Sequence, residues 1–140
     1  IEISALLNKA VLLANELPEM FSVSNWLEQQ WLSQCVVKWG SLYQVAQQLN
    51  QSESTVRRRY AKLNKQIFAQ AELTELTQHC NNLLYNLLEN EVSHTLWPAI
   101  EASLHVIVLQ QDVSQQQKAK LLDVTQPTLR KIIQQTQVLT

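Results

Sequence analysis

Apolar residues recur at helical spacing along most of the chain, and short polar breaks separate the segments. The pattern predicts eight helices, over roughly 3–16, 24–38, 41–49, 52–68, 71–91, 98–111, 114–122 and 125–135. Pro18 is expected to end or kink the first helix, and Ser24 or Asn25 to cap the second. Pro98 is expected in the first turn of the sixth helix, where proline is tolerated.

Composition supports an all-α fold. One glycine and three prolines among 140 residues leave little material for hairpins or for glycine-rich phosphate loops. Leu, Gln, Ala and Glu are abundant, and all four form helices well. No run of about eighteen apolar residues predicts a membrane span. Cys35 and Cys80 have no framework spacing, so we expect reduced, half-buried thiols.

One residue spacing occurs twice, 73 residues apart. Each copy has an alanine, then a turn-tolerant residue four positions later, then an aliphatic residue six positions beyond that. The copies are Ala46, Asn50 and Val56, and Ala119, Asp123 and Leu129.

The spacing is that of a helix-turn-helix, the unit that places one helix in the DNA major groove. The alanine allows two helices to cross closely, and Asn or Asp tolerates the positive φ of a sharp turn. Ser52 and Thr125 are positioned to cap the second helix of each unit. We therefore predict two all-α domains, 1–68 with a helix-turn-helix at 41–65, and 69–140 with one at 114–135.

Positive charge is concentrated near the two units, although the net charge is only -1. Nine of the eleven Lys and Arg residues lie within or just after them, and none lies between Gln66 and Gln117. Phosphate contacts need local positive potential rather than global charge, so a polarised molecule of this kind can still bind DNA.

Both units resemble the Fis-type helix-turn-helix family. Residues 40–63 carry the resemblance through Ala46, Thr55, Val56, Arg57, Arg58 and Arg59. Residues 114–133 carry it through Ala119, Thr128, Leu129, Arg130 and Lys131. The second unit is almost as similar to the Cro/repressor type, whose members often have Ser-Gln at the start and Val-Ser-Gln-Pro-Thr at the turn.

The resemblance implies a bacterial transcription regulator, cytoplasmic and associated with the nucleoid. The DNA contacts that it implies fall on Ser52, Thr55, Arg57 and Arg58, and on Thr125, Gln126, Thr128, Arg130 and Lys131. Lys62, from the first basic cluster, completes the candidate set. Of three consecutive arginines at least one must face sideways, and Arg59 is the least suited to DNA.

Three residues depart from the family pattern. Gln51 stands where Val124 stands in the second unit, so we expect a looser or more exposed first turn. Glu53 replaces a basic residue, and it can accept from a cytosine amino group but repels phosphates. Asp123 adds negative charge near the second unit.

The leading hypothesis is sequence-specific binding of duplex DNA. The two units either read half-sites about 34 Å apart, or one unit per chain reads DNA in a homodimer. The alternative is a protein-interaction module that keeps the fold and docks RNA polymerase, an ATPase domain or another regulator. No spacing predicts a metal, cofactor, small-molecule or catalytic site, and the four tryptophans are expected in the core and at its rim.

Overall fold

The computed structural model describes residues 3–17, 21–66, 68, 71–90 and 93–139. Within these ranges the chain is all-α, with eight helices and no strand, as predicted. The helices are α1 (Ile3–Glu16), α2 (Val23–Trp39), α3 (Leu42–Leu49), α4 (Glu53–Asn64), α5 (Ala71–Asn90), α6 (Ser93–Leu109), α7 (Gln115–Leu122) and α8 (Gln126–Leu139). None of these helices combines the length and apolar character needed to cross a membrane.

The chain forms two compact units, which we call the split unit (1–25 with 100–140) and the central unit (26–99). The core of the split unit includes Leu6, Leu7, Val11, Leu104, Val108, Leu121 and Leu129. The core of the central unit includes Trp26, Leu27, Trp31, Val45, Val56, Leu63, Leu73 and Leu84. Each of the two compact units contains one of the predicted helix-turn-helix motifs, as does each predicted domain. The predicted domain boundary at residue 68 stays a prediction.

Two helices begin earlier than predicted. The cap of α2 is Ser22 rather than Ser24 or Asn25, because the Ser22 hydroxyl accepts from the Asn25 backbone N–H at 3.1 Å. Helix α6 begins at Ser93, so the expectation that Pro98 starts it is wrong. Pro98 therefore lies in the second turn, where its missing N–H leaves one hydrogen bond of the helix unmade. Pro18 lies outside the described residues.

Both cysteines are fully buried rather than half-buried. Burial disfavours the thiolate, which raises the pKa of Cys35 well above its usual range and that of Cys80 to about 12. Both therefore behave as apolar core residues, not as reactive thiols.

Tryptophan side chains lie in the core and at its rim, as the sequence predicts. Trp26 and Trp31 are buried, and the Trp26 indole donates to the Thr77 hydroxyl at 3.0 Å. The Trp31 ring stacks on Trp97 with 5.6 Å between centroids.

Candidate nucleic-acid interface

The first helix pair consists of α3, a tight turn and α4. Asn50 ends α3 in the left-handed conformation, with φ 56°. The next backbone N–H, that of Gln51, donates to the Ala46 carbonyl at 3.0 Å. Ala46 and Val56 are each only 1% exposed, so the alanine allows the close crossing that the spacing predicts.

The second helix pair, α7 and α8, is built in the same way. Asp123 is left-handed with φ 52°, and the Val124 N–H donates to the Ala119 carbonyl at 3.0 Å. Ser114 begins α7 with a capping box in which its side chain and that of Gln117 each bond the other's backbone N–H.

The two pairs match bond for bond at a separation of 73 residues. The N–H of Asn50 donates to Gln47 at 3.3 Å, and that of Asp123 to Lys120 at 3.2 Å. The predicted repeat of the turn is therefore confirmed at the level of individual hydrogen bonds. Of the two outcomes expected for the first turn, looser or more exposed, the structure shows the second: its hydrogen bonds match those of the second turn, but Gln51 is exposed whereas Val124 is half-buried.

The predicted caps of α4 and α8 are present. The Ser52 hydroxyl accepts from the Thr55 N–H at 3.2 Å, and Thr125 accepts from the Thr128 N–H at 3.3 Å. Each cap hydroxyl also donates to the threonine hydroxyl, at 2.6 Å and 3.0 Å respectively. Since Thr55 and Thr128 accept through oxygen, their own protons can point outward to an acceptor such as a phosphate.

All ten candidate residues are exposed, five on each helix and its cap. The set is Ser52, Thr55, Arg57, Arg58 and Lys62, with Thr125, Gln126, Thr128, Arg130 and Lys131. On α4, the exposed residues Arg58, Lys62 and Lys65 follow one another at spacings of four and three, which aligns them along one face.

The three consecutive arginines differ in their surroundings. Arg59 pairs with Glu28 through two hydrogen bonds, at 2.6 Å and 2.9 Å, and is half-buried. The prediction that one arginine would face sideways to an acid is thereby confirmed. Arg57 donates to Glu53 at 2.7 Å, and Arg58 is exposed. Arg58 therefore presents a charge with no acid beside it on the helix, whereas the charge of Arg57 is partly offset by Glu53.

A cleft of about 100 Å³ lies beside the first turn. Gln51, Arg59 and Glu28 form part of its wall, and the rest is mainly apolar. Residues 73 positions later differ: Val124 is half-buried and Ile132 is 9% exposed, so aliphatic groups there replace Gln51 and Arg59. The first turn thus has a polar residue beside an open cleft, where the second copy has an aliphatic one.

Filling this cleft should stabilise the central unit. We expect Gln51→Val to raise the free energy of unfolding by about 0.5–1 kcal/mol, because an aliphatic side chain covers the apolar part of the cleft wall better than the exposed Gln51 amide does. Urea denaturation measures the change. Gln47→Val, at an exposed position of α3 that does not line the cleft, is the control and should be neutral or slightly destabilising. A loss of stability in Gln51→Val contradicts this interpretation.

The second turn has a tertiary contact that sequence reasoning missed. The side-chain amide of Asn25, only 4% exposed, donates to the Asp123 carboxylate at 2.8 Å. Nearby, the Ser22 hydroxyl donates to the Leu121 carbonyl at 3.3 Å. The start of α2 thus holds the second turn through hydrogen bonds. Asp123 both adopts the left-handed conformation and accepts the hydrogen bond from Asn25. No local pattern signals a contact over 98 residues.

Substitution by glycine separates the left-handed turn from the hydrogen bond to Asn25, because glycine keeps the first and removes the second. Asn50→Gly should change the free energy of unfolding by no more than about 0.5 kcal/mol, because Asn50 is exposed and glycine accepts positive φ. Asp123→Gly should destabilise by about 1–2 kcal/mol, because the buried Asn25 amide loses an acceptor. Urea denaturation of both variants gives the comparison, and equal effects would show that the Asn25 contact contributes nothing.

No protein-family model, curated protein or solved structure matches the chain. The resemblance to the Fis-type family therefore stays a prediction, and the functional argument depends on the geometry of the two helix pairs.

Proposed function

We propose that the chain binds duplex DNA as a sequence-specific transcription regulator of the bacterial type, acting at the nucleoid. In this proposal α4 and α8 are the recognition helices, each directed at a major groove. One observation supports it best: the same hydrogen-bonded turn and cap recur in both units, and each introduces a helix whose exposed residues are basic and polar.

The proposed contact residues fall into two chemical groups, basic side chains and an amide. Arg58 and Lys62 on α4, and Arg130 and Lys131 on α8, supply charge for phosphates or for guanine edges. Gln126, exposed at the start of α8, has the amide that pairs with adenine through two hydrogen bonds.

The two helices are unequal. The exposed face of α4 continues as Lys62 and Lys65, whereas the corresponding end of α8 presents uncharged Gln134 and Gln135. Charge binds phosphates regardless of sequence, and amides discriminate between bases. We therefore expect α4 to contribute more non-specific affinity and α8 more of the base reading.

Fluorescence anisotropy with a labelled, mixed-sequence duplex of about 30 base pairs tests the proposal. At about 50 mM salt we expect a dissociation constant in the micromolar range or tighter, weakening linearly on a log–log plot as salt increases. Absence of binding at tens of micromolar protein would contradict the proposal.

A second candidate function is docking of a protein partner, such as RNA polymerase, an ATPase domain or another copy of the chain. Val37 and Tyr43 favour it, because these large side chains on either side of Gly40 are 65% and 51% exposed. If the duplex does not bind, this surface becomes the leading candidate. Val37→Ser with Tyr43→Ser should then abolish capture of a partner while leaving the helical content unchanged.

A further inference from the structure

Glu53 and Arg57 form an ion pair on the candidate recognition helix α4. The Glu53 carboxylate accepts from Arg57 Nε at 2.7 Å, one helical turn away. The acid precedes the base by four residues, the favourable order on a helix, and it lies in the first turn, where the helix dipole also favours a negative charge. Two local effects thus hold a carboxylate beside an arginine on the face proposed to meet DNA.

The second helix pair provides an internal comparison. Gln126 and Arg130 occupy the corresponding positions, 73 residues later. Both are exposed and the turn before them has the same hydrogen bonds, so the local architecture matches while the carboxylate is absent. At this position in the first helical turn, the first pair has a carboxylate and the second has an uncharged amide.

We infer that Glu53 limits the DNA affinity of the first helix pair by pairing with the Arg57 guanidinium and offsetting its charge toward phosphate. This inference rests on the proposed DNA-binding function. The pair is exposed, with the Arg57 side chain 55% accessible and that of Glu53 41%, so it is weak and exchangeable. The pair engages only Nε of Arg57, so a phosphate that meets the terminal amines also meets the adjacent carboxylate, and if Arg57 leaves Glu53 the carboxylate remains uncompensated near a polyanion.

The consequence is a difference between the two helix pairs in how readily they bind phosphate. Arg130 has Gln126 rather than an acid at the matching position, so the second helix pair reaches phosphate without first breaking such a pair. The paired carboxylate thus suppresses binding by the first pair alone.

A double-mutant cycle tests the inference. The variants Glu53→Gln, Arg57→Gln and their combination are compared with the wild-type chain in duplex anisotropy titrations at several salt concentrations. Glu53→Gln should tighten binding about three- to tenfold and steepen the salt dependence by about one. Arg57→Gln alone should weaken binding about two- to threefold, because Glu53 is left uncompensated near the duplex, and in the Glu53→Gln background it should remove most of the gain.

The reciprocal change, Gln126→Glu, should weaken binding by a factor similar to the gain from Glu53→Gln. Far-UV circular dichroism of each variant reports whether the helices are intact. If the wild-type chain binds duplex and Glu53→Gln leaves its affinity and salt dependence unchanged, the inference is wrong while the proposed function stands. A gain that persists in full without Arg57 shows simple repulsion by Glu53 and also overturns it. A wild-type chain that binds no duplex overturns both.

Discussion

Removing two charges from either proposed recognition helix, α4 or α8, should weaken DNA binding and flatten its salt dependence. We expect Arg130→Gln with Lys131→Gln to lower affinity about ten- to a hundredfold and to reduce the salt slope by up to about two, since each phosphate contact releases counterions. Both side chains are exposed on α8, so their removal should leave the fold intact. Anisotropy titrations at three or more salt concentrations measure both quantities.

The matching change on α4, Arg57→Gln with Arg58→Gln, should have the smaller effect. We expect about a tenfold loss and a slope change of about one, because Arg57 is paired with Glu53 in the free protein. Lys9→Gln with Lys38→Gln removes the same charge outside both helix pairs and should change affinity less than about twofold. Unchanged affinity in both helix variants would contradict the DNA-binding proposal.

Enlarging the small residue at the helix crossing should give the largest loss of stability among the substitutions considered. Ala46 is 1% exposed beneath the first turn, and Ala119 is 7% exposed beneath the second. Leucine at either position must force the two helices apart, at a cost of about 1–3 kcal/mol in the free energy of unfolding. We expect Ala46→Leu to cost more stability than Ala119→Leu, because Ala46 is the more deeply buried of the two alanines.

Urea denaturation with helical content as the signal measures this effect. Ala61→Leu is the matched control, because Ala61 is exposed on α4 and leucine is a good helix former. It should change stability by no more than about 0.5 kcal/mol. If Ala46→Leu were as harmless as Ala61→Leu, the close crossing of α3 and α4 would not depend on a small side chain.

Local features of the fold could be predicted from the sequence because their causes are local. Helix α1 has the predicted bounds, Ile3–Glu16, since its apolar periodicity is uninterrupted. The left-handed turns at Asn50 and Asp123 follow from residue types that accept positive φ. The caps at Ser52 and Thr125 follow from hydroxyls just before a helical pattern.

Tertiary features could not be predicted in the same way. The contact of Asn25 with Asp123, and the pairing of Arg59 with Glu28, each depend on where distant helices meet. Pro98 was expected in the first turn of α6, where proline is tolerated, but the helix begins about one turn earlier, at Ser93. At the candidate interface, the ten residues were chosen from the resemblance and the basic cluster, whereas their exposure and the pairing of Arg57 were visible only in the structure.

The most direct test of the central claim is a ¹⁵N–¹H correlation spectrum of the labelled chain, titrated with a mixed-sequence duplex at low salt. The DNA-binding proposal predicts that the largest amide shifts fall at the starts of α4 and α8, around Ser52–Arg58 and Thr125–Lys131, and that α5 is unaffected. Shifts that avoid both helices, or a spectrum unchanged by excess duplex, would contradict it.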